Sequence, residues 1–188
     1  MCTIEMIRDN TEIAFFYLTE MANRPGGLTK AKLRGLWHEY GPLRVNTVVS
    51  SGGVFLVEVC RAKQVRERTL LACVQELVEH YGAGVDVMSH ESPSSQQTAL
   101  CVATVRGMPT IVQYLLRKGA DPELRSSGRF RLTRGGGKSV RCQCVTPLEF
   151  GRAMREAEAQ ASATKQELKL LDACLDLLRP GTRKRPPA

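Results

Sequence analysis

The sequence predicts an all-α protein: a row of about four short helical hairpins, with one extended basic β-hairpin inserted at about 124–145. Three observations predict it. Residues 98–122 read as two short helices with a sharp stop after each. Looser versions of that unit recur along the chain. Aromatic residues are only 5% of the chain, which suits stacked helices better than a β-sandwich.

The 98–122 unit sets the pattern. Thr98 suits an N-cap, because its hydroxyl accepts from a free N–H of the first turn. Leu100 and Ala103 share a face, and Gly107 ends the first helix. Ile111, Val112, Leu115 and Leu116 form the apolar stripe of a second helix, which Gly119 stops before Asp121-Pro122 turns the chain. Each helix has two to three turns, below the length at which an isolated helix is stable, so the unit requires neighbours of its own kind.

These residues resemble one ankyrin repeat. The Thr-x-Leu opening, the Gly between helices, the Ile-Val-x-x-Leu-Leu run and Gly119-Ala120-Asp121 stand in that family's order. Cys101 departs from it, standing where the family usually carries a His that ties neighbouring repeats together. The resemblance implies a solenoid whose helices pack in two layers and whose fingers project from them. It also implies binding of a macromolecule on the concave side.

In chain order, repeats are expected at about 10–46, 51–87, 97–122 and 146–181, together a domain over 1–181. In the first, Ile13, Phe16, Leu18 and Ala22 are read as the inner face of one helix, stopped by Pro25-Gly26-Gly27. Leu33, Leu36 and Trp37 form the second, stopped by Gly41-Pro42. In the next repeat, residues 53–56 stand where 97–100 stood, and Cys73 to Val78 match Ile111 to Leu116. An insertion at Lys63–Thr69 is expected to lengthen that hairpin, and Ser89 to Gln97 reads as a polar loop broken by Pro93.

From Asp121 to Thr146 the connection is about 15 residues longer than the resemblance leads one to expect. Phe130 and Leu132, then Val140, Cys142 and Cys144, alternate at period two on either side of Gly135-Gly136-Gly137. That is a hairpin signal, one finger grown longer. Thr146-Pro147-Leu148 reopens the helical pattern, which breaks near Ser162-Ala163-Thr164 and closes on Leu171, Cys174, Leu175, Leu177 and Leu178. Residues 182–188 are a basic, Pro-rich tail.

The net charge of +8 is concentrated. Residues 124–145 hold Arg125, Arg129, Arg131, Arg134, Lys138 and Arg141 with no acid, and the end of the chain holds Arg179, Arg183, Lys184 and Arg185. Setting those ten aside leaves 17 basic residues against 19 acidic, so the body is near neutral and two appendages carry the positive field. No apolar run approaches a membrane span, and the first residues carry acids where a signal peptide needs basic and then apolar residues. The expectation is an intracellular protein, cytoplasmic or nuclear. The seven cysteines are irregularly spaced; Cys60, Cys73, Cys101 and Cys174 fall within helical patterns as small apolar residues.

Signals for chemistry are thin. Gly135-Gly136-Gly137-Lys138-Ser139 suggests a phosphate loop, but Leu132 stands where that loop needs Gly. Cys142-Gln143-Cys144 is half a metal site without a second ligand pair. His38, His80 and His90 lack ligand spacing, and Glu156, Glu158 and Glu167 read as a solvated helix face. No enzyme, cofactor or metal is expected.

The expected function is therefore a protein–protein interaction module, a scaffold or adaptor, with an acidic protein as partner. Its contact residues are Arg106, Arg125, Arg129, Phe130, Arg131, Arg134, Lys138 and Arg141. One alternative is a nucleic-acid-binding module that uses the same hairpin, with Phe130 stacked on a base. Another is a substrate adaptor of a ubiquitin ligase complex.

Overall fold

The computed structural model describes residues 2–92, 94–133 and 136–180. Four helix pairs stand in a row. They are α1 (Cys2–Asn23) with α2 (Lys30–Tyr40), α3 (Phe55–Arg61) with α4 (Glu67–Gln75), α5 (Ala99–Val105) with α6 (Pro109–Arg117), and α7 (Pro147–Gln160) with α8 (Lys165–Leu178). A π-turn, Glu76–His80, prolongs α4. The first helices pack in one layer, α1 on α3, α3 on α5 and α5 on α7; the second helices make the other, α2 on α4, α4 on α6 and α6 on α8. The helical-repeat reading holds.

Local chemistry starts and stops these helices. The hydroxyl of Thr98 accepts from the Cys101 N–H at 3.1 Å. Thr146 and Thr164 form full capping boxes with Glu149 and Glu167. Pro109 and Pro147 occupy first-turn positions, where a missing N–H costs nothing. Gly107 and Gly119 end α5 and α6 at positive φ. One apolar cluster runs through the row, from Ala14 to Leu178. At its centre every residue of α5 is buried. Gly151 lets α7 approach: a Cβ there would sit 2.8 Å from side-chain carbons of both Thr104 and Leu175.

The fold is not purely all-α. Strands β1 (Ser89–Ser92), β2 (Ser95–Gln97), β3 (Ser126–Arg131) and β4 (Ser139–Val145) form one antiparallel sheet in the order β1-β2-β3-β4. The last two are the expected basic hairpin. The first two fall in the stretch read as a polar loop. Three of the four residues of β1 are exposed, so it offers no apolar alternation to read. Backbone pairing holds it, with the Arg61 guanidinium donating to Ser89 and, at 2.6 Å, to Gln97.

Three further readings change. In α1 the buried stripe is Ala14, Phe15, Leu18 and Ala22, whereas Ile13 and Phe16 are 45% and 61% exposed. One position is a rotation of about 100° on a helix, so choosing Phe16 over Phe15 turned the face outward. Phe15 instead packs edge-on to Phe55 at 5.4 Å. At Lys63–Thr69 the hairpin is lengthened less by helix than by connection, since α3 ends at Arg61 and α4 begins at Glu67. Glu158, read as solvated, is 2% exposed.

Two predictions follow from this packing. Leu115 is fully buried within the second-helix layer. Leu115→Ala should cost about 3 kcal/mol, seen as a lower urea midpoint for the array. Glu76 is buried and takes Arg34 at 2.6 Å and Lys30 at 2.8 Å, tying α2 to the end of α4. The Arg34 hydrogen bond, ahead of the Lys30 contact, holds its carboxyl down at about 2, from an ordinary 4.5. A depressed carboxyl stabilises the fold above its unfolded pKa, and that contribution is lost as pH falls from about 4.5 through about 2. Urea midpoints measured between pH 7 and pH 2 should show the wild type falling toward Glu76→Gln over that window.

Candidate functional site

The basic hairpin β3–β4 has two chemically distinct faces. Its register pairs Gly128 with Cys142, Arg129 with Arg141, Phe130 with Val140 and Arg131 with Ser139. Strand alternation puts Phe130, Val140 and Cys142 on one face, and Arg129, Arg131, Ser139 and Arg141 on the other. The first face, joined by Leu132, covers a small cluster of Cys101, Val105, Phe150 and Met154 from α5 and α7. Phe130 meets Phe150 edge-on, with ring centroids 5.2 Å apart. Arg129, Arg131 and Arg141 are exposed.

The hydrogen-bond phase of the hairpin is fixed by its end. The Leu132 N–H donates to the Lys138 carbonyl at 3.0 Å. Antiparallel pairs alternate between bonded and non-bonded, so Phe130–Val140 and Gly128–Cys142 are bonded pairs. Arg129–Arg141 and Arg131–Ser139 are then non-bonded pairs, the type whose side chains stand closest. Two guanidinium groups are thus placed directly across from each other, with no acid in the hairpin to separate them.

Beside the hairpin lies a groove of about 740 Å³ between the sheet and the ends of the first helices, lined among others by Arg61, Gln97, Arg106, Phe130, Met154 and Glu158. Arg129 and Arg131 also border it. Glu158 accepts from the Thr133 N–H at 2.6 Å through Oε1, while its buried Oε2 has no hydrogen-bond partner. Arg61 pairs with Glu91 and lies 3.8 Å from Glu58. Burial pushes its pKa down and raises that of Glu58.

The expected contact residues do not form one patch. Arg129, Arg131 and Arg141 share the outer face of the hairpin, and Lys138 is exposed at its turn. Arg125, near the hairpin's base, donates to the Cys144 carbonyl at 2.7 Å and lies 3.9 Å from Glu149. Phe130 is half-buried against Phe150 rather than presented to a ligand. Arg106 is half-buried, and its guanidinium donates to the Cys60 carbonyl at 2.5 Å, closing the end of α3. Burial lowers its pKa. Arg134 and the tail 182–188 lie outside the described residues.

Residues 95–127, spanning β2, α5, α6 and the first turn into β3, match the family model of the ankyrin repeat. That segment is similar to an ankyrin repeat. No curated protein matches the chain. Within the matched segment, Cys101 packs under the finger with Val105 and Phe150, and its thiol hydrogen-bonds with Ser126 at the start of β3. The neighbouring pairs are tied elsewhere: Glu67 accepts from Thr110, Glu79 from Tyr114 and Lys118, and Asp86 from the Asp121 N–H.

The cysteine and carboxylate readings resolve in the same geometry. Cys60 and Cys101 are fully buried, and burial pushes both thiols up to about 12, away from the thiolate a nucleophile needs. Cys142 and Cys144 do not continue one alternation: a bulge shifts the register beyond Cys142, and Cys144 takes φ +52°. Among the described residues no group of three His, Cys, Asp or Glu side chains is arranged to hold a metal ion. The arginines were legible as a basic stretch, but the pairing of Arg129 with Arg141 and the burial of Glu158 carried no sequence signal, because both depend on how the hairpin is registered and seated.

Truncating Phe130 should loosen the finger without unfolding the row. Phe130→Ala removes a half-buried ring and an aromatic pair, together about 2 kcal/mol. The check is amide exchange at Phe130 and Val140, which should quicken while exchange in α5 holds its rate.

Proposed function

We propose that this protein is a protein-binding module, a scaffold or adaptor, that holds an acidic partner against its basic finger. The observation that carries this reading is the apposition of Arg129 and Arg141 on an exposed face that also holds Arg131. Like charges directly opposite on a sheet are destabilising, and a carboxylate between them turns that cost into attraction. The ankyrin repeat supports a binding role. A stacked array presents its surface already ordered, so little entropy is lost on association.

Phe130 bears on the nucleic-acid alternative. A stacking platform needs a free aromatic face, and this ring is committed to Phe150. The remaining arginines suit carboxylates, which they grip with two parallel N–H donors.

The test is affinity capture from a cell lysate, comparing the intact chain with Arg129→Gln/Arg131→Gln/Arg141→Gln and with a chain whose residues 125–141 are replaced by a short turn. Both variants should lose the same acidic partners, with a drop of about tenfold or more. Retention of all partners by both would remove the finger from the binding surface. Partners released by nuclease treatment, with affinity falling steeply in salt across unrelated sequences, would decide for nucleic acid.

A further inference from the structure

The hairpin's outer strand ends the sheet, and its hydrogen-bond phase says which of its groups are unused. Lys138, just before β4, and Val140 and Cys142 within it bond inward across the hairpin. The N–H and C=O groups of Ser139 and Arg141 therefore point away from β3, toward the open edge. No further backbone bond reaches these two residues among those described. The opposite edge is treated differently: the His90 N–H of β1 donates to the Gly52 carbonyl at 2.7 Å.

We propose that the free edge of β4 takes up an extended peptide of the partner as a fifth, antiparallel strand, and that this peptide alternates acidic and apolar residues. The inference rests on the binding role proposed above and names its mode. Every pairing in the sheet is antiparallel, and the added strand continues that order. A peptide residue bonded to Arg141 places its side chain on the same face as Arg129, Arg131 and Arg141. That face lacks any carboxylate of the hairpin's own, so the residues there are acidic. The intervening residues fall beside Val140 and Cys142, both half-buried, and extend the apolar cluster over Phe150. A second copy of this strand is a poorer occupant, since symmetric pairing brings Arg141 against Arg141 on a face already crowded with cations.

The probe is a ten-residue synthetic peptide of alternating Glu and Val, made also in two forms N-methylated at either the Glu amides or the Val amides. Binding is read by fluorescence anisotropy, and the site by amide exchange in the ¹⁵N-labelled full chain. Antiparallel addition requires the Glu amides to bond to β4. The Glu-methylated peptide should lose at least tenfold in affinity, while the Val-methylated form binds within about threefold of the parent. On binding, the Arg141 amide should slow at least tenfold, and the inward-bonded Val140 and Cys142 amides should change little. Arg141→Glu should weaken the peptide at least tenfold, and Arg152→Glu on α7, outside the hairpin, should leave it within twofold. Equal binding of both methylated peptides, or binding without slowing at Arg141, overturns the edge-strand mode and leaves the basic finger as a binding face. No binding of the parent peptide also overturns it. If lysate partners are then still lost with the arginines, the broader reading stands; if they are not, both fall.

Discussion

No helical pair in this chain encloses its own apolar side, and that constraint organises everything else. α5 shows it most plainly. All seven of its residues are buried, yet the helix has only two turns. It is covered by α3 on one flank, α7 on the other and α6 behind. Its one polar side chain, Thr104, is satisfied within the helix by donating to the Leu100 carbonyl at 2.8 Å. Such a helix has no stable existence apart from its neighbours, so the stability of the row belongs to the contacts between pairs. α1 packs on α2 and α3 and leaves Ile13, Phe16 and Tyr17 exposed.

The finger is joined to the row by the same means. Its apolar face lies on Cys101, Val105, Phe150 and Met154, which project from α5 and α7. A polar residue at position 101 would be enclosed there, and enclosure without a partner is costly. Cysteine is small and apolar enough to serve as floor for the hairpin. Cys101 thus exchanges a tie between repeats for a seat under the sheet, and the pairs are held to one another by Glu67, Glu79, Asp86 and Arg106 instead.

The sequence made the helical pairs legible wherever apolar spacing and stop signals coincide, as at Ile111 to Gly119. Period-two spacing around the glycines likewise marked β3 and β4. It was silent on β1 and β2, whose side chains are polar on both faces and whose pairing is a property of the backbone. In α1, Phe15 and Phe16 are equally apolar, and only the presence of Phe55 decides between them. The candidate residues were legible as a basic stretch but not as a surface. Charge is read along the chain, whereas the separation of Arg106 and Phe130 from Arg129, Arg131 and Arg141 depends on what each side chain touches.

That division of labour bears on why the arginines are there at all. The apolar face of the hairpin fixes its position, and its backbone pairs fix its register; neither depends on residues 129, 131 or 141. A neutral residue at any of the three would hold the same strand with less repulsion. Cations on an edge strand do discourage pairing with copies of the same chain, and one or two suffice for that. Three on one face, with two directly opposed, exceed what protection of the edge requires. The excess is unfavourable for folding alone and would become favourable beside a carboxylate, and the binding proposed above rests on that asymmetry.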